Sequence, residues 1–327
     1  MFYTLVADNM AFSTVVSTFK SANLVKKDES KIGLNTVKTD ISEDMQHANT
    51  YNSHPARGPL ILAVETSGRV GSVAIATGQQ LLAEKTFSAP MTHSAEIFPA
   101  IDSLLASFNR EPKEIEHIYI SAGPGSFTGL RIAVTMAKTM HLANAAKIVA
   151  VDTLDVIAAN VITLTAQDTN LSLNGALRFS NNDKIAAILD AKRGQFFIAV
   201  YQQRRLCPDS TASQTKKKTV NQVSNKEWEK ILPDSLMTVS QFLAKFADTD
   251  HPVWLLGEGL VYYKDKFEAD GVRLFDESYW NPKARSVHLI GWEMAQAGQF
   301  AEPLMLQPTY LRRTEAEEKF HQEKTKS

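Results

Sequence analysis

A single cysteine, Cys207, stands among the 327 residues. One thiol cannot close an internal disulfide, and it excludes zinc sites built on clustered cysteines. No apolar run approaches the roughly 18–20 residues needed to cross a bilayer. The opening residues MFYTLVADNMAF lack a basic segment and bring in Asp8 early, which argues against a secretory signal. These absences together predict a cytoplasmic chain with no membrane partner. Charge of one sign is scarce as well: 35 lysines and arginines face 36 aspartates and glutamates, a formal net charge of -1. No global positive field would hold a nucleic acid, so an RNA contact must be local or made through another subunit.

Several catalytic patterns are missing. The eight histidines include no pair at i and i+4, the spacing that sets two imidazoles on one helical face, and there is no HExxH. No Gly-Lys-Ser/Thr closes a phosphate loop, and no GxSxG elbow presents a serine. His93, just before an amphipathic segment, is expected to be a hydrogen-bonded residue at a helix start, with Thr92 or Ser94 as cap. Cys207, beside Pro208 in a polar stretch, reads as incidental.

The length suits two α/β lobes with ragged ends. Residues 1–58 are rich in Ser, Thr, Asn, Lys and Asp without a sustained period, and predict a disordered extension. Asp28, Glu29, Glu43 and Asp44 argue against a transit peptide. Residues 59–160 predict a first lobe. PLILAVETS and VGSVAIAT are apolar runs split by a Gly68–Arg69 turn, a hairpin signal, and QLLAEKTF follows as a third run. HSAEIFPAIDSLLASF spaces its apolar residues as an amphipathic helix does. HIYISAG, GLRIAVTMAKTMHLANA, KIVAVDT and LDVIAAN then read as strand, helix, strand and helix. Residues 161–183 predict a linker and 184–318 a second lobe, with a charged tail at 319–327. Residues 205–226 predict a polar loop; its run Lys216, Lys217, Lys218 reads as solvated surface.

LAVETSGRVGSVAIA and AAILDAKRGQFFIAV share an order: apolar run, acid (Glu65 or Asp190), turn with Arg and Gly, apolar run. A duplicated lobe predicts such a repeat in these places.

The segment with most chemical content is SAGPGSFTGLRIAV. Gly123, Pro124, Gly125, Ser126, Phe127, Thr128, Gly129 and Arg131 form a glycine loop between a strand and a helix. Outward backbone N–H groups and a helix dipole at such a junction suit an anion or nucleotide. Glycines that merely let the helix pack on the sheet explain the loop equally well. Glu65, Thr66 and Ser67 form the turn of the first hairpin, and a turn-capping role is the simple account of Glu65.

ILAVETS, GPGSFTGLRI, DAKRGQFFIAVY, WLLGEG and PTYLRRTEAE, in this order across residues 59–318, resemble the TsaB (YeaZ) family. The resemblance implies two actin-like, ribonuclease-H-like lobes with mixed central sheets and flanking helices. It implies a non-catalytic subunit that scaffolds and activates a TsaD-type relative in forming N6-threonylcarbamoyladenosine at position 37 of tRNA. Aspartate is common in the family where this chain has Glu65. TsaD-like enzymes carry a histidine pair on the helix that Thr153 and Ile157 occupy here, so no metal site is expected. Implied partners are the TsaD-type subunit, a TsaE-type ATPase, and tRNA through the complex, with a homodimer when the chain is alone. No cofactor is expected in this subunit; ATP and a divalent metal would belong to the partners. An actin-like ATPase or kinase, or a glycoprotease-type metallopeptidase, is the competing expectation. The partner face implied by the resemblance lies on two helices, at Ile97, Phe98, Ile101, Leu105, Ile132, Ala133, Met136, Ala137 and Met140. A charge at Ile101 or Met136 is then expected to abolish co-purification with the catalytic subunit and leave the lobe folded.

Overall fold

A computed structural model describes residues 58–167, 182–205 and 226–311. The extension expected at 1–58, apart from Gly58, lies outside the described residues, as do Cys207, Lys216, Lys217, Lys218, residues 168–181 of the expected linker and the 319–327 tail.

The first sheet is built from β1 (Leu60–Glu65), β2 (Ser72–Thr77), β3 (Gln80–Thr86), β4 (Ile115–Gly123) and β5 (Lys147–Asp152), in the order β3-β2-β1-β4-β5. β1 runs antiparallel to β2 and parallel to β4, and β4 parallel to β5. The second holds β6 (Lys184–Asp190), β7 (Gln195–Arg205), β8 (Lys226–Thr238), β9 (Val253–Leu256) and β10 (Val272–Leu274), in the order β10-β9-β6-β7-β8. β6 pairs antiparallel with β7 and parallel with β9, as β1 does with β2 and β4. The two orders are the same topology, so the repeat read from Glu65 and Asp190 is a duplication of the whole sheet. The correspondence reaches single hydrogen bonds. Glu65 ends β1 and accepts from the Ser67 N–H at 2.6 Å; Asp190 ends β6 and accepts from the Lys192 N–H at 2.7 Å.

Every residue of β1 is buried, because its sheet is covered on both faces. Leu60, Leu62 and Val64 point to a core shared with α1 (His93–Ser107) and α2 (Phe127–Asn144). Ile61 and Ala63 point the other way, to α5 (Ala284–Gln296), the period of two expected of a strand. Between them lie α3 (Thr153–Gln167) and α4 (Val239–Phe246).

Three features differ from the sequence reading. First, α3 continues through Gln167, into the stretch read as linker from 161. Its small, β-branched and polar residues weaken the periodicity, but burial of Leu154, Ile157, Ala158 and Val161 carries the helix. Second, these α3 residues pack in the core of the second sheet, while α5, distant in sequence, covers the first. The boundaries 59–160 and 184–318 therefore do not coincide with the packing units: an amphipathic stripe announces a buried face without saying which sheet receives it. Third, Arg205 and Lys226, read as ends of a polar loop, close β7 and open β8. β8 is the sheet edge and contains Pro233 at an irregularity in its pairing with β7, where a missing N–H is tolerated. Lys230 on β8 bridges Asp155 of α3 at 2.7 Å and Asp234 at 2.6 Å, tying the edge strand to the helix.

Both sheets also end a parallel strand in Gly-x-Gly: Gly123-Pro124-Gly125 after β4 and Gly257-Glu258-Gly259 after β9. Gly123 and Gly257 have φ of 123° and 120°, values that side chains with a Cβ rarely adopt. A Cβ on Gly257 would also collide with the Ile188 carbonyl oxygen. Gly257→Ala is expected to cost at least about 2 kcal/mol through strain and collision combined. Urea denaturation monitored by circular dichroism would measure the loss, with Gly298→Ala as a positive-φ control that meets no neighbour.

Candidate functional site

Glu65 is wholly buried at the end of β1. Its Oε1 accepts from the Ser67 N–H at 2.6 Å, the Ser67 hydroxyl at 2.5 Å and the Gly68 N–H at 3.2 Å, and its Oε2 accepts from the Ser121 hydroxyl. A carboxylate removed from water must be saturated in this way. Burial pushes the Glu65 carboxyl above its ordinary value, against the bonds from Ser121, Ser67 and Gly68. The turn-capping account of Glu65 matches these bonds. Ser121, at the end of β4, went unnoticed in the sequence because a serine in a strand carries no signal of its partner.

The glycine loop lies directly on this turn. The Ser126 N–H donates to the Ser67 carbonyl at 2.8 Å, and the Thr66 hydroxyl donates to the Gly129 carbonyl at 2.7 Å. A Cβ on Gly125 would sit 2.7 Å from the Ser67 oxygen, and one on Gly129 would overlap the Thr66 oxygen. The glycines thus admit the hairpin backbone itself. Ser126 caps α2 by accepting from the Gly129 N–H at 3.3 Å. Pro124 is buried, while Phe127, Thr128 and Arg131 are exposed on the outer side of the loop.

A second carboxylate closes the turn from the other sheet. Glu258 accepts from the Arg69 N–H at 2.9 and 2.8 Å through its two oxygens. Burial pushes its carboxyl up to about 7; the Arg69 N–H bond opposes this and the neighbouring Glu65 charge adds to it. The sequence reading placed Arg69 in the hairpin turn and Glu258 within WLLGEG but gave neither a role in the site. The Gly-x-Gly shared by both sheets was the signal that could have found Glu258.

His93 is buried at the first residue of α1, with Nε2 2.9 Å from the Gly68 carbonyl, so that nitrogen carries the proton. Burial lowers its pKa. The expected cap is not made: the Thr92 hydroxyl donates to the Ala89 carbonyl instead. Thr153 and Ile157 are both fully buried on α3, and Ile157 lies in the second core. Among the described residues no group of three or more His, Cys, Asp or Glu is arranged to hold a metal, and no helix is long and apolar enough to cross a membrane.

The implied partner face needs correction. Ile97, Ile101, Leu105, Ala133, Met136 and Ala137 are buried within the first core, with Ile101 at 4% and Met136 at 5% exposure. A charge at Ile101 or Met136 would therefore disrupt the lobe itself. Both helices already use these residues against their own sheet. What remains outward is Phe98, at 41% exposure, with half-buried Ile132 and Met140 beside exposed Thr135 and Thr139.

The model of the family described as TsaD, tRNA N6-adenosine threonylcarbamoyltransferase, matches residues 80–319. The tRNA threonylcarbamoyladenosine biosynthesis protein TsaB of Bacillus subtilis is 28% identical over 263 residues, which span 80% of this chain and 97% of that protein. Escherichia coli TsaB is 27% identical over 143 residues, 44% of this chain and 55% of that protein. Among solved structures, YeaZ from Pseudomonas aeruginosa aligns over 77% of this chain and 100% of its own, with a TM-score of 0.56 at 20% identity, a likeness of fold.

Glu258 makes stability pH-dependent in a defined direction. Its folded pKa of about 7 lies above the ordinary 4.5, so between these values the folded chain holds more proton than the unfolded one. Stability should fall as pH rises through that window, by up to about 3 kcal/mol. Glu258→Gln should flatten the profile and raise the melting temperature at pH 8 relative to the parent, as read by thermal denaturation at pH 5 and 8.

Proposed function

From the premise that this chain belongs to the TsaD family, with TsaB (YeaZ) proteins as its relatives, and takes part in tRNA threonylcarbamoyladenosine biosynthesis, we propose that it is a non-catalytic subunit. It scaffolds and activates a TsaD-type catalytic partner that modifies adenosine 37 of tRNA.

The observation that carries the reading is at Thr153 and Ile157. They take the places of the paired imidazoles expected in a TsaD-type enzyme, and both are buried on α3. An isoleucine side chain has no donor atom for a metal, and a lone threonine hydroxyl is a weak one. The glycine loop supports the same reading, because Gly125 and Gly129 lie against Ser67 and Thr66 where a phosphate would otherwise approach. On this reading ATP and a divalent ion belong to the partner subunits. The same features weigh against the kinase and metallopeptidase alternatives.

The contact is made by the outward side of α1 and α2, through Phe98, Ile132, Thr135, Thr139 and Met140. Aromatic and methionine side chains on such a face suit a helix-to-helix interface. With the catalytic partner absent, the same face would pair two copies of this chain. A TsaE-type ATPase and tRNA would join through the assembled complex.

Phe98→Glu combined with Thr135→Arg should abolish co-elution with the catalytic subunit in size-exclusion chromatography. Both positions are exposed, so the melting temperature should stay within a few degrees of the parent. A complex that survives both charges would overturn the interface, and full tRNA modification in cells depleted of the chain would overturn the function.

A further inference from the structure

Two exposed aromatic side chains stand over guanidinium groups beside the contact between the glycine loop and the first hairpin. The Arg131 guanidinium lies 3.8 Å from the centre of the Phe127 ring, and its Nε donates to the Tyr310 hydroxyl at 3.4 Å. Phe127 and Tyr310 have ring centres 5.4 Å apart and remain 44% and 42% exposed. On the other side, the Arg69 guanidinium lies 5.0 Å from the ring of Tyr262, which is 69% exposed. Backbone contacts join the two groups: Phe127 follows Ser126, whose N–H donates to the carbonyl of Ser67, two residues before Arg69.

A cation–aromatic contact alone is ordinary, occurring about once per 75 residues. Here the setting is unusual in two respects. Among the described residues neither Arg69 nor Arg131 makes an ion pair with a carboxylate. In addition, α2 carries Arg131 and Lys138 and no acidic residue at all. The edge thus carries positive charge, opposed by Glu258 at Arg69 but with no acidic partner at Arg131 among the described residues, beside exposed rings, on a chain whose net charge is -1. Flat rings beside guanidinium groups match unpaired bases flanked by phosphates.

We infer that the Phe127–Arg131–Tyr310 and Arg69–Tyr262 groups are a direct contact of this chain with unpaired bases of its RNA. The inference rests on the function proposed above and assigns this subunit its own share of tRNA recognition. Stacking on the rings supplies affinity with little sequence preference, and the guanidinium groups take the phosphates.

The test uses the full chain in complex with its catalytic partner. Binding of unmodified, fluorescently labelled tRNA is titrated by anisotropy at several salt concentrations. Phe127→Ala should weaken binding about tenfold. Arg131→Gln should weaken it and reduce the slope of log K against log salt by about one. Tyr310→Phe, which keeps the ring and loses the hydroxyl, should stay within about twofold. In parallel, 4-thiouridine-labelled tRNA is crosslinked, with adducts expected at Phe127, Tyr262 or Tyr310. Unchanged affinity in the Phe127 and Arg131 variants, or adducts confined to other parts of the chain, would overturn the inference. So would variants that dissociate the catalytic subunit, because the edge would then be a protein contact. Failure of the function itself would appear separately, as unchanged modification after depletion.

Discussion

The fold closes around one short turn that is held by buried carboxylates from two directions. Glu65 saturates the turn from within its own strand, through Ser67, Gly68 and Ser121. Glu258 reaches the same turn from the second sheet, through the Arg69 N–H. Each acid alone would be an expense of desolvation. Together with the donors they fix where one sheet stands relative to the other, because backbone N–H groups and carboxylates tolerate little misplacement in a dry environment. The glycine loop depends on the result, since Gly125 and Gly129 fit only if the Thr66–Ser67 backbone is held where it is.

That arrangement bears on the division of chemistry within the family. In this chain the turn occupies the near side of the loop, and the outer side faces solvent with Phe127, Thr128 and Arg131. The inner side of the loop is closed by the hairpin, and the outer side carries charge and an aromatic ring. Those two features fit the proposed subunit, which contributes position and contact while the chemistry lies with its partner.

Much of the architecture was readable before any coordinates. The continuous apolar runs at β1, β2, β4 and β6 are what a sheet covered on both faces imposes, and the stripe of α1 is what one buried face imposes. The repeat of Glu65 at Asp190 announced the duplication. What escaped were features fixed by distant parts of the chain. β8 carries Pro233 and many polar residues because it is an edge strand held by β7 and Lys230, so its own pattern is weak. Ile101 and Met136 sit on helices apolar enough to suggest a second partner, yet their sheet takes up those side chains. Glu258 was visible as a residue and silent as a partner, because its donor Arg69 is remote in sequence.

The exchange of covering helices has a consequence for how the molecule can come apart. α3 leaves the first sheet to cover the second, and α5 returns from the second to cover the first. Cutting the chain between the sheets would therefore strip each of a helix, exposing Ile61 and Ala63 of the first sheet and the part of the second core that α3 covers. Neither half is a self-sufficient folding unit, so unfolding should travel through both at once. Evolution can remodel the outer loops of such a molecule freely, but it can shed or trade a lobe only by inventing a new cover for the one that stays.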